Sequence, residues 1–353
     1  MKNTPQSVQS RNRNSRRFLV VSSAFLLCAA VAFSGCEEEM QDEAPPLNVP
    51  ADLSNPELMR SVAQQIIRDG LADPSAMVRT HAIELVVETG QVRLIPAVQK
   101  LLGDEVVPVR FAAVLAIADL QYEFGKASVE AMLRDPDPNV KMAASYAMAK
   151  FGMTEYAAVL RKAIGSKDGT VRANAALLLG KLGNRDDLKL LYEALTDKTA
   201  DDKVNYQAAE SIARLGDERV HPSLWTMLIS GYADVRLMGV LSMGMLKTDD
   251  AKEALVGMLD DEVLEVRVAA AGRLGALGDN VGEPVVLAAF EEGLLKGLND
   301  RERERAAALV ASAIGQIGTD ALKNHLPELL QDPSKLVRIA AGGAVLQCIP
   351  GRN

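Results

Sequence analysis

The chain has 353 residues, more than one ordinary hydrophobic core encloses, so it is either repetitive or divided. Aromatic residues make up only 4% of it, while Ala, Leu, Val and Gly abound, which excludes a β-sandwich and suits helices packed closely through small side chains. The formal charge is −8, and because residues 1–35 hold five basic residues and no acidic one, the remainder carries −13 and is a poor ligand for nucleic acid or anionic lipid.

Lys2, Arg11, Arg13, Arg16 and Arg17 form a positive leader, followed by an apolar stretch from Phe18 to Phe33 that is short for a membrane span. It ends in "FSGC", Phe33 to Cys36, which resembles a bacterial lipobox with Phe33 where Leu is commoner. The resemblance implies that residues 1–35 are a signal peptide, that Cys36 carries a lipid, and that the protein is anchored on the extracytoplasmic side of a bacterial envelope. "SRRFLV" (Ser15 to Val20) loosely resembles a twin-arginine export signal, and Glu37 in place of Asp after Cys36 favours the outer membrane. With Cys28 removed and Cys36 lipidated, only Cys348 remains, so no intrachain disulfide can form, and its apolar helical setting makes it a core residue. Residues 36–55, acidic and Pro-rich, cannot bury a core and form a solvated tether ahead of a folded domain over 56–353.

Within that domain a phrase recurs: "V-R" followed by a small-residue helix. Its anchor falls at Arg79, Arg110, Lys141, Arg172, Asn205, Arg236, Arg267, Ala307 and Arg338, with spacings of 31, 31, 31, 33, 31, 31, 40 and 31. Each unit reads as two short helices. The first, such as "LIPAVQKLL", ends at a turn that often holds Asp-Pro, as at Asp73-Pro74, Asp135-Pro136 and Asp332-Pro333. The second begins near the anchor, with a small residue three positions on (Ala82, Ala113, Ala144, Ala175) and a large one seven on (Val86, Ile117, Met148, Leu179), which marks one buried face. Gly closes it at Gly152, Gly183, Gly216, Gly278 and Gly318. The step of 40 before Ala307 predicts an insertion in the first helix, through "PVVLAAFEEGLLKGL". A single hairpin cannot bury its own apolar face, whereas nine in a row can, and the fold expected is an all-α solenoid.

These units resemble the HEAT repeat family, in the short bacterial form also found in phycobilisome lyase-type proteins, over about residues 55–350. The resemblance implies a ladder in which the turn Asp bonds toward the anchor of a neighbouring unit. Asp73, Asp104, Asp135, Asp261 and Asp332 stand six residues before their anchors, and Ser166, Ser230 and Arg301 interrupt the series.

Motifs that carry chemistry are not found. His81, His221 and His325 fall in separate repeats, with no His-x-x-x-His or Cys-x-x-Cys spacing, no His-Glu pair of the kind that ligates iron in HEAT-like hydroxylases, no phosphate loop and no nucleophile elbow. Neither a metal site nor a cofactor is expected, and the chain is read as non-catalytic. A lyase-like role is disfavoured because a tethered extracytoplasmic protein would not meet cytoplasmic phycobiliproteins.

One and five residues after the anchors, where the family usually has polar side chains on its concave side, stand Phe111 and Leu115, Met142 and Tyr146, Ala173 and Leu177, Tyr206 and Glu210, and Leu237 and Leu241. This pattern allows an exposed apolar groove or simply more inter-repeat core; the groove is the expectation carried forward, as the binding surface for a protein or an extended peptide. Lys150, Lys181 and Arg214, nine after their anchors, would add a positive line beside it or form ordinary solvated charge near helix C-termini. The function expected is that of a membrane-tethered scaffold. Its rivals are a structural envelope protein that dimerises through the last helix, "VRIAAGGAVLQCI", which lacks a polar cap, and a chaperone-like maturation factor for a cofactor protein.

Overall fold

A computed structural model describes residue 50 and residues 52–351. Cys36, the leader and most of the tether lie outside the described residues. Among the described residues the fold is an all-α solenoid of helical hairpins. The outer helices are α1 (Pro56–Gly70), α3 (Ile95–Lys100), α5 (Lys126–Ala131), α7 (Ala157–Ala163), α9 (Leu188–Thr196), α11 (His221–Leu228), α13 (Asp249–Gly257) and α15 (Glu283–Glu291), with α17 (Asp320–Lys323) and α18 (Leu326–Leu330) sharing the last outer position. The inner helices are α2 (Ala76–Glu88), α4 (Val107–Asp119), α6 (Pro138–Lys150), α8 (Gly169–Leu182), α10 (Asp202–Arg214), α12 (Ala233–Met243), α14 (Leu264–Ala276), α16 (Asp300–Ile317) and α19 (Lys335–Cys348). Inner helices pack on one another in sequence, which curves the stack toward them. No described helix is long and apolar enough to cross a membrane.

The local chemistry follows the sequence. Asn55, Asp137 and Asp168 cap α1, α6 and α8 through side-chain oxygens that accept backbone N–H groups, and Asn299 with Glu302 forms a reciprocal capping box on α16. The expected terminal glycines all adopt positive φ, from Gly216 at 68° to Gly152 at 95°. The residues seven after each anchor, Ile117 and Leu179 among them, are fully buried. The insertion before the eighth repeat falls elsewhere than expected. Helix α15 stops at Glu291, a short 3-10 turn spans Leu294–Gly297, and the inner helix α16 is the one that gains length.

Adjacent hairpins are joined by a repeated ionic rung. The Arg79 guanidinium donates from Nε to Asp104 Oδ2 (2.8 Å) and from Nη2 to Asp104 Oδ1 (2.9 Å), while Nη1 donates to the carbonyls of Asp73 and Pro74 in its own turn. Arg110–Asp135 and Arg236–Asp261 repeat this two-pronged geometry, again 25 residues apart. Each aspartate also accepts the backbone N–H two residues on, so one carboxylate fixes its own turn and the preceding repeat together. Two rungs depart from the expected register. Arg172 reaches Asp197 at 2.9 Å, eight residues before the Asn205 anchor, and Arg303, one turn ahead of Ala307, takes Asp332.

The ends of the stack meet. Helix α19 packs against both α1 and α2, closing the solenoid into a ring. Lys335 lies 3.0 Å from Asp73, so the first turn aspartate receives its cation from the ninth repeat, as every rung receives its cation from the repeat before. Arg60 donates to the carbonyls of Leu346 (3.4 Å) and Ile349. The helices approach closely here: a Cβ on Gly343 would stand 2.6 Å from Leu85 Cδ2, and one on Gly70 would stand 2.8 Å from Ile339 Cδ1. The expectation of an uncapped last helix free to dimerise is therefore corrected, because the first repeat covers that face.

Two outcomes test this architecture. Breaking one partner of a buried rung, as in Asp135→Ala, is expected to cost about 3–5 kcal/mol in urea denaturation, whereas Arg110→Met with Asp135→Leu should return stability close to the parent value. Arg60→Ala should raise amide hydrogen exchange in α1 and α19 together while leaving α6 and α8 unchanged; a rise confined to α1 would contradict closure.

Candidate functional site: the inner wall and the outer face

The expected groove is not an open surface. Phe111, Leu115, Met142, Tyr146, Leu177, Leu237 and Leu241 are all buried, with Phe111 the most accessible at 6%, and Tyr206 is half-buried. Helix α4 is buried without a break from Phe111 to Ala118, and α6 from Met142 to Met148. The reason is closure. Polarity one and five residues after the anchor belongs to an open, water-filled concavity, and in a tight ring those positions face side chains from other repeats. The concave stripe is thus core in this arrangement, and its assignment as an exposed groove is corrected.

The positive line is likewise engaged. Lys181 Nζ lies 2.8 Å from Asp119 Oδ2, two repeats away, and Arg214 donates to Glu210 Oε1 at 2.5 Å. Lys150 is half-buried. Tyr146 Oη donates to the other Asp119 oxygen, and burial, reinforced by that carboxylate, holds its hydroxyl well above the usual phenol range. Asp119 and Glu88 occupy the same ninth position as Lys150, Lys181 and Arg214 in earlier repeats. Over the first five repeats the register therefore reads two acids and then three bases, a pattern present in the sequence and missed when the bases alone were picked out.

Charges from distant repeats converge on the axis. Burial pushes Glu88 up to about 7, with Glu84 adding repulsion and Arg273, His81 and Lys181 opposing it. Glu88 is half-buried and surrounded by these groups from the first, fourth and seventh repeats. Arg273, almost fully buried, has its pKa lowered by burial, against the opposing fields of Glu88 and Glu210. His81 Nδ1 sits 3.1 Å from Glu84 Oε2. Nothing in the periodicity marks Arg273, which lies six residues after its anchor, off the ninth-position line.

Glu88 can exchange a proton near neutrality, while His81 pairs with Glu84, Lys181 with Asp119 and Arg214 with Glu210. Among the described residues no group of three or more His, Cys, Asp or Glu is placed to hold a metal ion. His325 stacks on Phe290 with ring centroids 3.9 Å apart, well separated in the chain from His81 and His221. Cys348 is half-buried, and burial raises its thiol pKa.

The outer face differs. Trp225 (47% exposed), Ile229 (65%) and Tyr232 (77%) stand on α11 and the turn after it. Val256, also exposed, sits 31 residues after Trp225 at the equivalent place on α13. Shallow grooves run elsewhere on the outside, one of them between α3 and α5 along Pro96, Gln99, Ser128 and Ala131.

Residues 125–213 and 227–311 match the family described as HEAT repeats, residues 94–124 match the HEAT repeat, and residues 53–86 match the HEAT repeat associated with sister chromatid cohesion. A comparison with curated proteins finds no match. Among solved structures, human deoxyhypusine hydroxylase in complex with glycerol is similar at 18% identity and a TM-score of 0.35, covering 73% of this chain and 97% of its own. The complex of CpcE and CpcF of phycocyanin lyase from Nostoc sp. PCC7120 is similar at 19% identity and a TM-score of 0.39, covering 78% of this chain and 100% of its own. Kap121p gives 14% identity and a TM-score of 0.32 over 80% of this chain and 37% of its own.

The raised Glu88 carboxyl sets a pH signature. The folded ring holds this proton up to about pH 7, whereas the unfolded chain releases it near 4.5. Relative to Glu88→Gln, the parent should therefore be unaffected below pH 4.5, lose stability progressively between 4.5 and 7, and hold a constant deficit above 7. Urea midpoints of both proteins across that range read it directly.

Proposed function

The chain belongs to the HEAT repeat family, and on that premise we propose that it is a non-catalytic protein-binding scaffold held at a bacterial envelope by a lipid on Cys36. The observation that carries the reading is the repeat stack itself. It spans almost all the described residues, and its inner wall holds paired charges such as Lys181–Asp119 and Arg214–Glu210, which leaves the outer surface to act. HEAT solenoids commonly bind proteins, and stacked hairpins present broad surfaces of fixed shape. With the inner wall filled, the surfaces available to a partner are the outer face and the two rims of turns.

Charge narrows the partner. The part of the chain after residue 35 carries −13, and exposed acids recur along the turns, among them Glu105, Asp168, Asp201, Asp202, Asp260 and Glu262. The complementary partner is a protein or extended peptide with a basic surface, and its association should weaken as salt screens the attraction.

The tether supplies location. Cys36 follows an apolar stretch and precedes an acidic, Pro-rich segment, a sequence suited to lipidation followed by a solvated spacer. Cys36→Ala should shift the protein from the detergent-extracted membrane fraction to the soluble one or leave an uncleaved precursor, and crosslinking from native membranes should capture a basic partner in a salt-sensitive manner. A variant still cut before residue 36 and still membrane-bound would remove the lipid anchor from this reading, and a salt-insensitive or absent capture would remove the basic partner.

A further inference from the structure

The outer helix of the sixth repeat departs from the others in composition. From His221 to Ala233, "HPSLWTMLISGYA", no Asp, Glu, Lys or Arg occurs, in a chain that is 24% charged. The equivalent outer segments on either side carry Lys189 and Glu193 before it and Asp249, Asp250, Lys252 and Glu253 after it. This uncharged segment exposes Trp225, Ile229 and Tyr232, and in the next repeat Val256, also exposed, holds the position equivalent to Trp225. Trp225 is the only tryptophan in the sequence. The nearest following charge, Asp234, is neutralised by Arg305 at 2.9 Å.

We infer that this patch, formed by Trp225, Ile229, Tyr232 and Val256, seats the ring on the lipid surface to which the tether holds it. The inference rests on the membrane anchoring proposed above. Trp and Tyr combine an apolar body with a polar tip and collect at the boundary between acyl chains and water. An uncharged patch also suits the zwitterionic headgroup layer, which an acidic protein can approach without the repulsion that anionic lipid would impose. Four side chains are a weak membrane ligand alone. A tether raises their effective concentration at the bilayer to roughly the millimolar range, where a weak contact is occupied.

The tether supplies reach. Leu53, the first buried side chain among the described residues, stands seventeen residues after Cys36, and an extended chain of that length spans up to about 60 Å. An anchor at Cys36 thus allows the ring to turn its sixth repeat toward the bilayer. Contact at two places, tether and patch, fixes the orientation of the ring and leaves the remaining outer face and turns for a protein partner.

Trp225 provides its own probe. The full chain, extracted from bacterial membranes and reconstituted into phosphatidylcholine vesicles containing brominated lipid, should float with the vesicles. Its emission should be shifted to the blue and quenched by the bromines. Ile229→Ser with Tyr232→Ser should abolish the shift and the quenching while the protein still floats and keeps its helical circular dichroism. A chain that floats with Trp225 unquenched overturns the patch and leaves the anchor intact, whereas a chain that does not float overturns the anchor and the patch with it. A photoreactive side chain placed at residue 232 that crosslinks to protein rather than lipid in native membranes overturns the lipid assignment in favour of a protein interface.

Discussion

The arginine–aspartate rung is the interaction on which the rest of the structure depends. A hydrophobic face between two hairpins tolerates sliding and rotation, because apolar contact is non-directional. The rung does not. Arg110 reads two carbonyls of its own turn with one nitrogen and both oxygens of Asp135 with the others, and Asp135 is in turn fixed by the N–H of Asp137. Each hairpin joined by a rung is thereby set at one angle to the next. Where the arginine is missing, at Asn205, the amide donates to the carbonyls of Ala194, Leu195 and Asp197 and still holds its own turn. Rungs fix the joints after Arg79, Arg110, Arg172, Arg236 and Arg303, the other joints rest on helix packing, and the pairing of Lys335 with Asp73 shows that the steps sum to a closed figure.

Closure decides what the inner wall can be. In an open arc the second helices offer a long concavity to a partner. In this ring the same helices face charged groups from the far side, and the axis is filled by Asp119, Lys181, Glu210, Arg214, Arg273 and Glu88. A buried assembly of this kind is weak evidence for stability, since desolvation offsets much of its attraction, but it is exacting about position: each charge tolerates few alternatives. Binding is left to surfaces outside the ring, which carry both exposed acids and the uncharged stretch around Trp225.

The repeats, their phase and their turn chemistry were legible in the sequence because they are local. The position of Asp104 relative to Arg110, the small residue at Ala113 and the large one at Ile117 repeat in register, and each repetition is an independent reading of the same rule. Asp197 was not legible as a rung, since two extra residues in its turn moved it out of register. The ring was not legible at all. It depends on a small rotation at every joint, and no residue encodes the sum. The misreading of Phe111 and Tyr146 follows from that, because the same side chain is exposed in an arc and buried in a ring. Lys181 looked like free charge for the same reason, its acid Asp119 lying two repeats away, whereas Arg214 pairs with Glu210 on its own helix.

A linear stack of repeats has two ends, and an end repeat is released by breaking one interface. Heat or denaturant can then peel such a protein inward, so that it melts gradually. The contact between α19 and α1 removes both ends. Releasing any hairpin now requires two interfaces to part at once, and the first breach costs more than every later one. The ring is thereby converted from a chain of loosely coupled units into a body that is whole or broken.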